Sequence, residues 1–526
     1  MDLITLATFI GISLLILTLK YLIESLISPL RSIPGPLGAR FSKAWYLLRV
    51  WNGCFEWDNI ALHETHGSVV RYGPNEYSIS DPEALKTIYG HGTEFNKTRW
   101  YEAWDAPDTF TLFTLQDNKI HGQMRRKFQS TYSMSSLITY ETYADECVQI
   151  FCQRLDEMAS EKREVNIGWW FQCYAADTIG MITYSKRFGF LDKGEDYKGL
   201  GQAMHDNLLY SSLVGIYYSI HRFLWNVTAY QAMLGLGKPT GRMALTGFTS
   251  GTLAERRKQR NNEKEDDLIE AEEGQEVDET APKDFLSKFL DAHDKDPNKF
   301  TEVDIKVGLT SNVVAGSDTT ASSLSGILYH LLRNPSTIKK LRSEIDDFVS
   351  RGEVSIPPTF KQTQAMPYLQ AVVQEALRVH PATGLPLVRI VPPGGADICG
   401  YHFPEGTSVG VNPWVMHYSK EIFGADATEF RPERWIEADK ERLSFMNRFW
   451  MPFGLGSRTC IGRNIEVGLT VNTQSMLEMS KLLPEIIRKY DFDLSDELKG
   501  SGTQWETKNH WFVVPENFFI TVTPRQ

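Results

Sequence analysis

Cysteine is scarce in this chain, with six among 526 residues: Cys54, Cys147, Cys152, Cys173, Cys399 and Cys460. No two of them form a Cys-x-x-Cys pair, which excludes a zinc module or a disulfide framework and suits a reducing compartment. Positive charge is in deficit. The formal net charge of −11 makes nucleic acid an unsuitable partner. The nucleotide-binding glycine patterns are missing as well. No Gly-x-Gly-x-x-Gly follows a clean strand, so direct nicotinamide binding is not expected, and Gly235-Leu236-Gly237-Lys238 lacks the upstream glycine of a phosphate loop. His63-Glu64-Thr65-His66 lacks the spacing of a zinc-binding His-Glu-x-x-His. No internal repeat is present.

What is there begins with an apolar run. Residues 3–19 carry no charge, and with Lys20 snorkelling the span 3–23 reaches the ~20 residues a membrane helix needs. Asp2 stands where a signal peptide would place positive charge, and no small-x-small cleavage site follows. Lys20 and Arg31 follow the span, which puts the bulk of the chain on the cytoplasmic side. The expected organisation is a transmembrane anchor over 1–28, a proline-rich, non-helical hinge over 29–40 (Pro29, Pro34, Pro36), and one large domain over 41–526. The Asn96-Lys97-Thr98 and Asn226-Val227-Thr228 sequons, on the cytosolic side, then read as chance matches.

The large domain reads as mainly α with small β-sheets. Thirteen Trp and twenty-eight Phe are enough to build a sizeable core. Short strand-like runs lie near 67–79, 397–411 and 511–522. Residues 255–283 are nearly all charged or polar and are expected to form a mobile, solvated loop inside this domain.

The most informative stretch is Phe453-Gly454-Leu455-Gly456-Ser457-Arg458-Thr459-Cys460-Ile461-Gly462, followed by an apolar, helix-forming run over 464–469. A lone cysteine in a turn is usually a packing residue. A charged thiolate inside a protein, however, needs donors, and a glycine-rich loop can aim backbone N–H groups at the sulfur. The glycines allow close approach to a large flat ligand. Arg458 can meet an anionic group on it, and Phe453 can keep water from the sulfur. Thiolate-ligated haem is the chemistry that wants this set. The spacing Phe-x-x-Gly-x-Arg-x-Cys-x-Gly resembles the haem-binding loop of the cytochrome P450 family, with every position filled.

Further motifs fit that resemblance. Ala315-Gly316-Ser317-Asp318-Thr319-Thr320 lies in a helical stretch expected over about 302–332, where residues four apart share a face. Small side chains at Ala315 and Gly316 would leave room for the cofactor. Asp318 and Thr319 resemble the family's acid–alcohol pair, which implies proton delivery on the distal face. Glu375 and Arg378 stand i, i+3, and with Arg434 they resemble the buried network that braces the cysteine loop; the implied role is structural. His121 and Arg125 resemble the helix that hydrogen-bonds a haem propionate, although many relatives carry Trp where His121 stands. Arg389 is a second propionate candidate. Arg126, Lys127 and Arg463 are expected to form a basic patch for an acidic electron donor.

The resemblance covers residues from about 31 onward, and the wording over 314–334 and 366–435 is similar to fungal microsomal members of the pisatin-demethylase and benzoate-hydroxylase type. It implies a cytochrome P450 fold behind a membrane anchor in the endoplasmic reticulum. It also implies haem b on Cys460 and monooxygenation of an apolar small molecule, a secondary-metabolite intermediate. NADPH would act only through a separate NADPH–cytochrome P450 reductase, with cytochrome b5 as a further donor. Apolar substrate contacts are expected from 100–113, 207–218, 313–319 and 382–387. A reductase-independent haem-thiolate isomerase or dehydratase is the rival within enzymes, and a haem-binding sensor the rival outside them. Asp318-Thr319 speaks against both.

Overall fold

The computed structural model describes residues 27–273, 283–464, 472–499 and 505–525, with isolated positions between 5 and 23. Helix Glu302–Arg333 organises the rest. Its start is set by a capping box in which the Thr301 hydroxyl accepts the Asp304 N–H and Asp304 accepts the Thr301 N–H. It ends at Asn334, where Pro335 opens the next helix. Most of its residues are buried, because helices pack on several sides: Ile167–Tyr184, Gly241–Glu273, Phe285–Lys295 and Pro367–Val379. Such an element reads as apolar and small-residue rich all round rather than amphipathic.

The sheets are small. One has five strands in the order Val69–Gly73, Glu76–Ile79, Ser408–Gly410, Arg389–Ile390, Asn96–Lys97, antiparallel except between the second and third. Another sets Phe519–Pro524 between Tyr490–Leu494 and Val165–Asn166, antiparallel to both. A hairpin joins Thr507–His510 to Phe512–Pro515. It is pinned to the central helix by Ser322 Oγ, which donates to Val513 O at 2.7 Å. The mainly helical reading holds, and the expected strand runs are found within these strands and the hairpin Ala396–Ile398/Tyr401–Phe403.

Three expectations change. Residues 255–273 are not loop but the end of helix Gly241–Glu273; closely spaced opposite charges support a solvated helix as readily as a loop. Residues 274–282 lie outside the described residues. The proline-rich hinge is docked: Leu30 and Ile33 are buried, Arg71 Nη2 donates to Leu30 O at 2.7 Å, and the Arg71 N–H donates to Pro34 O at 2.8 Å. The hinge also ends in a short helix, Leu37–Phe41. Beyond Cys460, Asn464 is in the two-residue strand Arg463–Asn464 rather than a helix, and 465–471 lie outside the described residues. Among the described residues no helix is long and apolar enough to cross a membrane. The expected anchor, 3–23, falls mostly outside them.

Candidate functional site

The cysteine loop is a set of tight turns. The Cys460 N–H donates to Phe453 O at 2.9 Å, the Thr459 N–H to Gly456 O at 3.1 Å, and the Thr459 hydroxyl to Phe453 O at 3.2 Å. Gly456 has φ +63°, and a Cβ there would sit 1.8 Å from Tyr89 O, so glycine is required at that position by both conformation and contact. Gly456 therefore seats the loop against the Tyr89 turn rather than opening it to a cofactor. Phe453 packs edge-on to Trp450 at 6.0 Å, with the Arg463 guanidinium over both rings.

Cys460 lies deep in the protein yet keeps accessible surface, so its thiol opens on an internal space. Burial pushes that thiol upward. Backbone N–H groups of Gly462 and Arg463 and the charges of Arg125 and Arg463 act the other way. Arg125 also reaches the loop directly, with Nη1 donating to Thr459 O at 2.7 Å.

Around this loop gathers a ring of basic groups: His121, Arg125, Arg389 and Arg458, as expected, and Lys97, which sequence reasoning passed over as part of a sequon. Lys97 and Arg389 face each other across paired strands. Like charges placed so are destabilising. Lys97 is held well below its usual value by burial, then by Arg389 and Arg458. His121 is lowered to about 3 by burial and then by Arg458, Lys97, Arg125 and Arg389, so it is neutral. Arg458 is lowered to about 10 by burial and by Arg389. It donates to Asn118 Oδ1 at 2.9 Å, to Leu115 O at 2.5 Å and to Gln116 O. Among the described residues none of the five pairs with a carboxylate. A buried positive cluster of this kind is complementary to a dianion. The two propionates of haem, beside a thiol ringed with N–H donors, fit these residues.

The central helix supplies the opposite wall. In a mostly buried element, Ala315 is exposed and Thr319 half-buried, which marks the turn that faces the internal space. Thr319 Oγ1 donates to Ala315 O at 2.7 Å. Gly316 does something other than expected. A Cβ there would lie 2.8 Å from Ile179 Cγ1 and Cδ1, so its bare face admits helix Ile167–Tyr184 rather than a cofactor. Asp318 is also turned to that helix and accepts a hydrogen bond from Gln172 Nε2 at 2.7 Å. Burial raises its carboxyl to about 6.

The network expected at Glu375, Arg378 and Arg434 is present and buried. Arg378 donates to both Glu375 oxygens, at 2.9 and 2.8 Å, and Arg434 Nε to Glu375 Oε1 at 3.0 Å. Two donors missed by sequence complete it: the Arg431 N–H and Trp435 Nε1, each at 2.9 Å. Of the three residues expected to form a basic patch, Arg126 is exposed. Lys127 is tied to Asp304 at 2.8 Å, and Arg463 lies over Trp450 and Phe453.

An aromatic wall closes the remaining side. Trp100, Tyr101, Trp104 and Phe113 meet Trp511, the tip of the Thr507–Pro515 hairpin, with centroids 5.1, 6.1, 5.7 and 5.5 Å away. Helix Leu200–Ile216 backs the wall, since Trp100 Nε1 donates to Ser212 O and Ser211 Oγ to Ala103 O. Lys97 Nζ lies 4.2 Å from the Tyr101 centroid and 4.4 Å from that of Phe113, so the wall adjoins the basic ring. Segments 100–113 and 207–218, both expected to contact substrate, thus adjoin each other, while Trp511 was not anticipated. It has φ +86°, a strained conformation for a bulky residue.

Comparison with known proteins agrees with this geometry. The family model described as Cytochrome P450 matches residues 50–517. Pisatin demethylase of Fusarium vanettenii is 36% identical over 507 residues, covering 96% of this chain and 93% of that protein. A cytochrome P450 monooxygenase of Aspergillus terreus is 36% identical over 472 residues, with 88% and 90% covered. Cytochrome P450 monooxygenase cicH of Emericella nidulans is 34% identical over 504 residues, with 94% of each covered.

Proposed function

The chain belongs to the cytochrome P450 family of oxygen-incorporating oxidoreductases, and on that premise we propose that it is a membrane-anchored monooxygenase acting on an apolar, largely aromatic small molecule of fungal secondary metabolism. The observation that carries the reading is an accessible interior thiol at Cys460 beside a basic ring that pairs with no carboxylate among the described residues, with Arg125 bonded to the cysteine loop and Lys97 set against the aromatic wall. Haem held by the Cys460 sulfur would supply activation of dioxygen.

The chain's own residues do the rest. Lys97, His121, Arg125 and Arg389 would receive the propionates, while Arg458 ties the loop to residues 115–118. N–H donors at Gly462 and Arg463 stabilise negative charge on Cys460 Sγ. Thr319 Oγ1 holds a proton at the open turn of the central helix and passes it on. Asp318 replenishes it, and with its carboxyl near 6 it can both take and release a proton at neutral pH. Because Asp318 is bonded to Gln172, its carboxyl must leave that amide to reach Thr319. The Trp100–Trp511 wall orients the substrate and excludes water.

Electrons are supplied from NADPH by a separate reductase at the endoplasmic reticulum membrane, with cytochrome b5 as a further donor. Membrane association is supported by large apolar side chains left exposed: Leu37, Leu48 and Trp51 near the docked hinge, and Phe223, Met233 and Leu236 on and just after helix His221–Met233. The test is spectroscopic. Reduced holoenzyme under carbon monoxide should show the red-shifted Soret band of thiolate ligation, and Cys460→Ser should lose it. Turnover should require NADPH, reductase and dioxygen; product formed without reductase would favour the isomerase reading.

A further inference from the structure

Behind the aromatic wall lies a buried acid that the reaction does not use. Glu56, near the start of helix Phe55–His66, has no solvent exposure, and neither has Asn509 on the hairpin strand Thr507–His510. Asn509 Nδ2 donates to Glu56 Oε2 at 2.5 Å. The other two oxygens of the pair, Glu56 Oε1 and Asn509 Oδ1, are both buried and without a donor. A carboxylate cannot satisfy Asn509 Oδ1, since it only accepts. A carboxylic acid can. Protonated on Oε1, Glu56 donates to Asn509 Oδ1 while Oε2 keeps the amide N–H, giving a cyclic acid–amide pair that satisfies both orphaned oxygens at once.

The surroundings favour the neutral form. Burial, with Asp58 adding a little to it, raises the carboxyl to about 8 against the opposing hydrogen bonds from Asn509 and from the backbone N–H of Glu56 itself. No cation touches Glu56 among the described residues. Arg49 is paired with Asp58 at 3.6 Å. Lys508 lies beside Gly53, and the remaining titratable neighbours, Cys54 and Tyr418, are themselves raised by burial.

The pair sits where it can control the pocket. Asn509 is two residues before Trp511, and its N–H also donates to Gly53 O at 2.8 Å. A Cβ on Gly384 would meet Asn509 Nδ2 at 2.3 Å, and the Gly384 N–H donates to Trp511 O at 2.9 Å. The strain at Trp511 must be held by its neighbours, and Asn509 lies on the strand that leads into it.

We propose that Glu56 carries a proton in the working enzyme and that its acid–amide pair with Asn509 positions Trp511 against the substrate, so that ligand affinity falls as Glu56 ionises. Glu56 is a positioning residue; it touches neither substrate nor cofactor. The inference rests on the proposed monooxygenase site. The reduced carbon monoxide spectrum tests that site, and the pH profile below tests the inference separately.

The experiment measures the dissociation constant of 4-phenylimidazole, a flat ligand that shifts the Soret band, for the full-length holoenzyme between about pH 7 and about pH 9.5. The wild type should bind several-fold more weakly at the upper end, with a midpoint near 8. Glu56→Gln, whose amide can make both hydrogen bonds at any pH, should bind at the wild type's neutral-pH strength throughout. Trp511→Ala should bind weakly and without that midpoint. A flat wild-type profile, or a Glu56→Gln profile that follows the wild type, would overturn the proposal.

Discussion

His417 Nε2 accepts the backbone N–H of Met451 at 2.8 Å. That bond joins the buried ion network to the cysteine loop, because Met451 stands two residues before Phe453. The other ring nitrogen, Nδ1, donates to Arg378 O at 3.0 Å. The imidazole is therefore neutral and in one tautomer, in keeping with a value lowered to about 3 by burial and by Arg378.

Replacing this ring breaks the link without touching the thiol. His417→Leu leaves the Met451 N–H buried and unpaired, at a cost of ~1–3 kcal/mol. The expected result is a protein that folds but releases haem faster, read as haem transfer to apomyoglobin. Unchanged haem loss would show that the network does not brace the loop.

Lys97 gives a prediction with two signs. Lys97→Met removes one like charge from beside Arg389, so the haem-free protein should unfold at higher temperature. The same change should weaken haem retention, because one propionate partner is gone. Thermal unfolding with and without haem checks both, and the two shifts should have opposite directions.

Glu56 predicts a pH-dependent stability. Its carboxyl is raised to about 8 in the fold from an ordinary 4.5, so between those values the unfolded chain releases a proton that the fold retains. Stability from this group therefore falls as pH rises through that window and levels off above about 8. Glu56→Gln lacks the effect. Its advantage over the wild type should grow from near zero at about pH 4.5 to ~3 kcal/mol near neutrality, measured by paired thermal melts across pH.

Gly316 and Ile179 should couple. Gly316→Ala drives a methyl to within 2.8 Å of Ile179, and overpacking of this kind costs ~1–3 kcal/mol. Alanine's helix propensity returns only ~1 kcal/mol of that. Adding Ile179→Ala should restore stability beyond the sum of the single changes, which a double-mutant cycle by chemical denaturation would measure.

Much of this architecture was legible in the chain because some constraints are local in sequence. The ten residues ending at Gly462 hold their own turns, and Glu375 and Arg378 meet one helical turn apart. Lys97, Trp511, His417 and Glu56 were not legible for the opposite reason. Each matters through a partner far along the chain, at Arg389, Trp100, Met451 or Asn509, and no period or spacing encodes such a meeting. Gly316 shows a different limit: a helical glycine says that something comes close, but not whether it is a ligand or another helix. The charged stretch over 255–273 misled because its composition suits a solvated helix as well as a loop.

The carboxylate-free ring around Lys97 and Arg389 has a consequence for the cell. Until a dianion arrives, the newly made polypeptide holds mutually repelling cations at its centre, and ligand binding is what relieves them. The amount of intact protein should therefore track porphyrin supply, with iron-starved cells degrading the chain faster than they degrade proteins whose interiors are neutral without a prosthetic group.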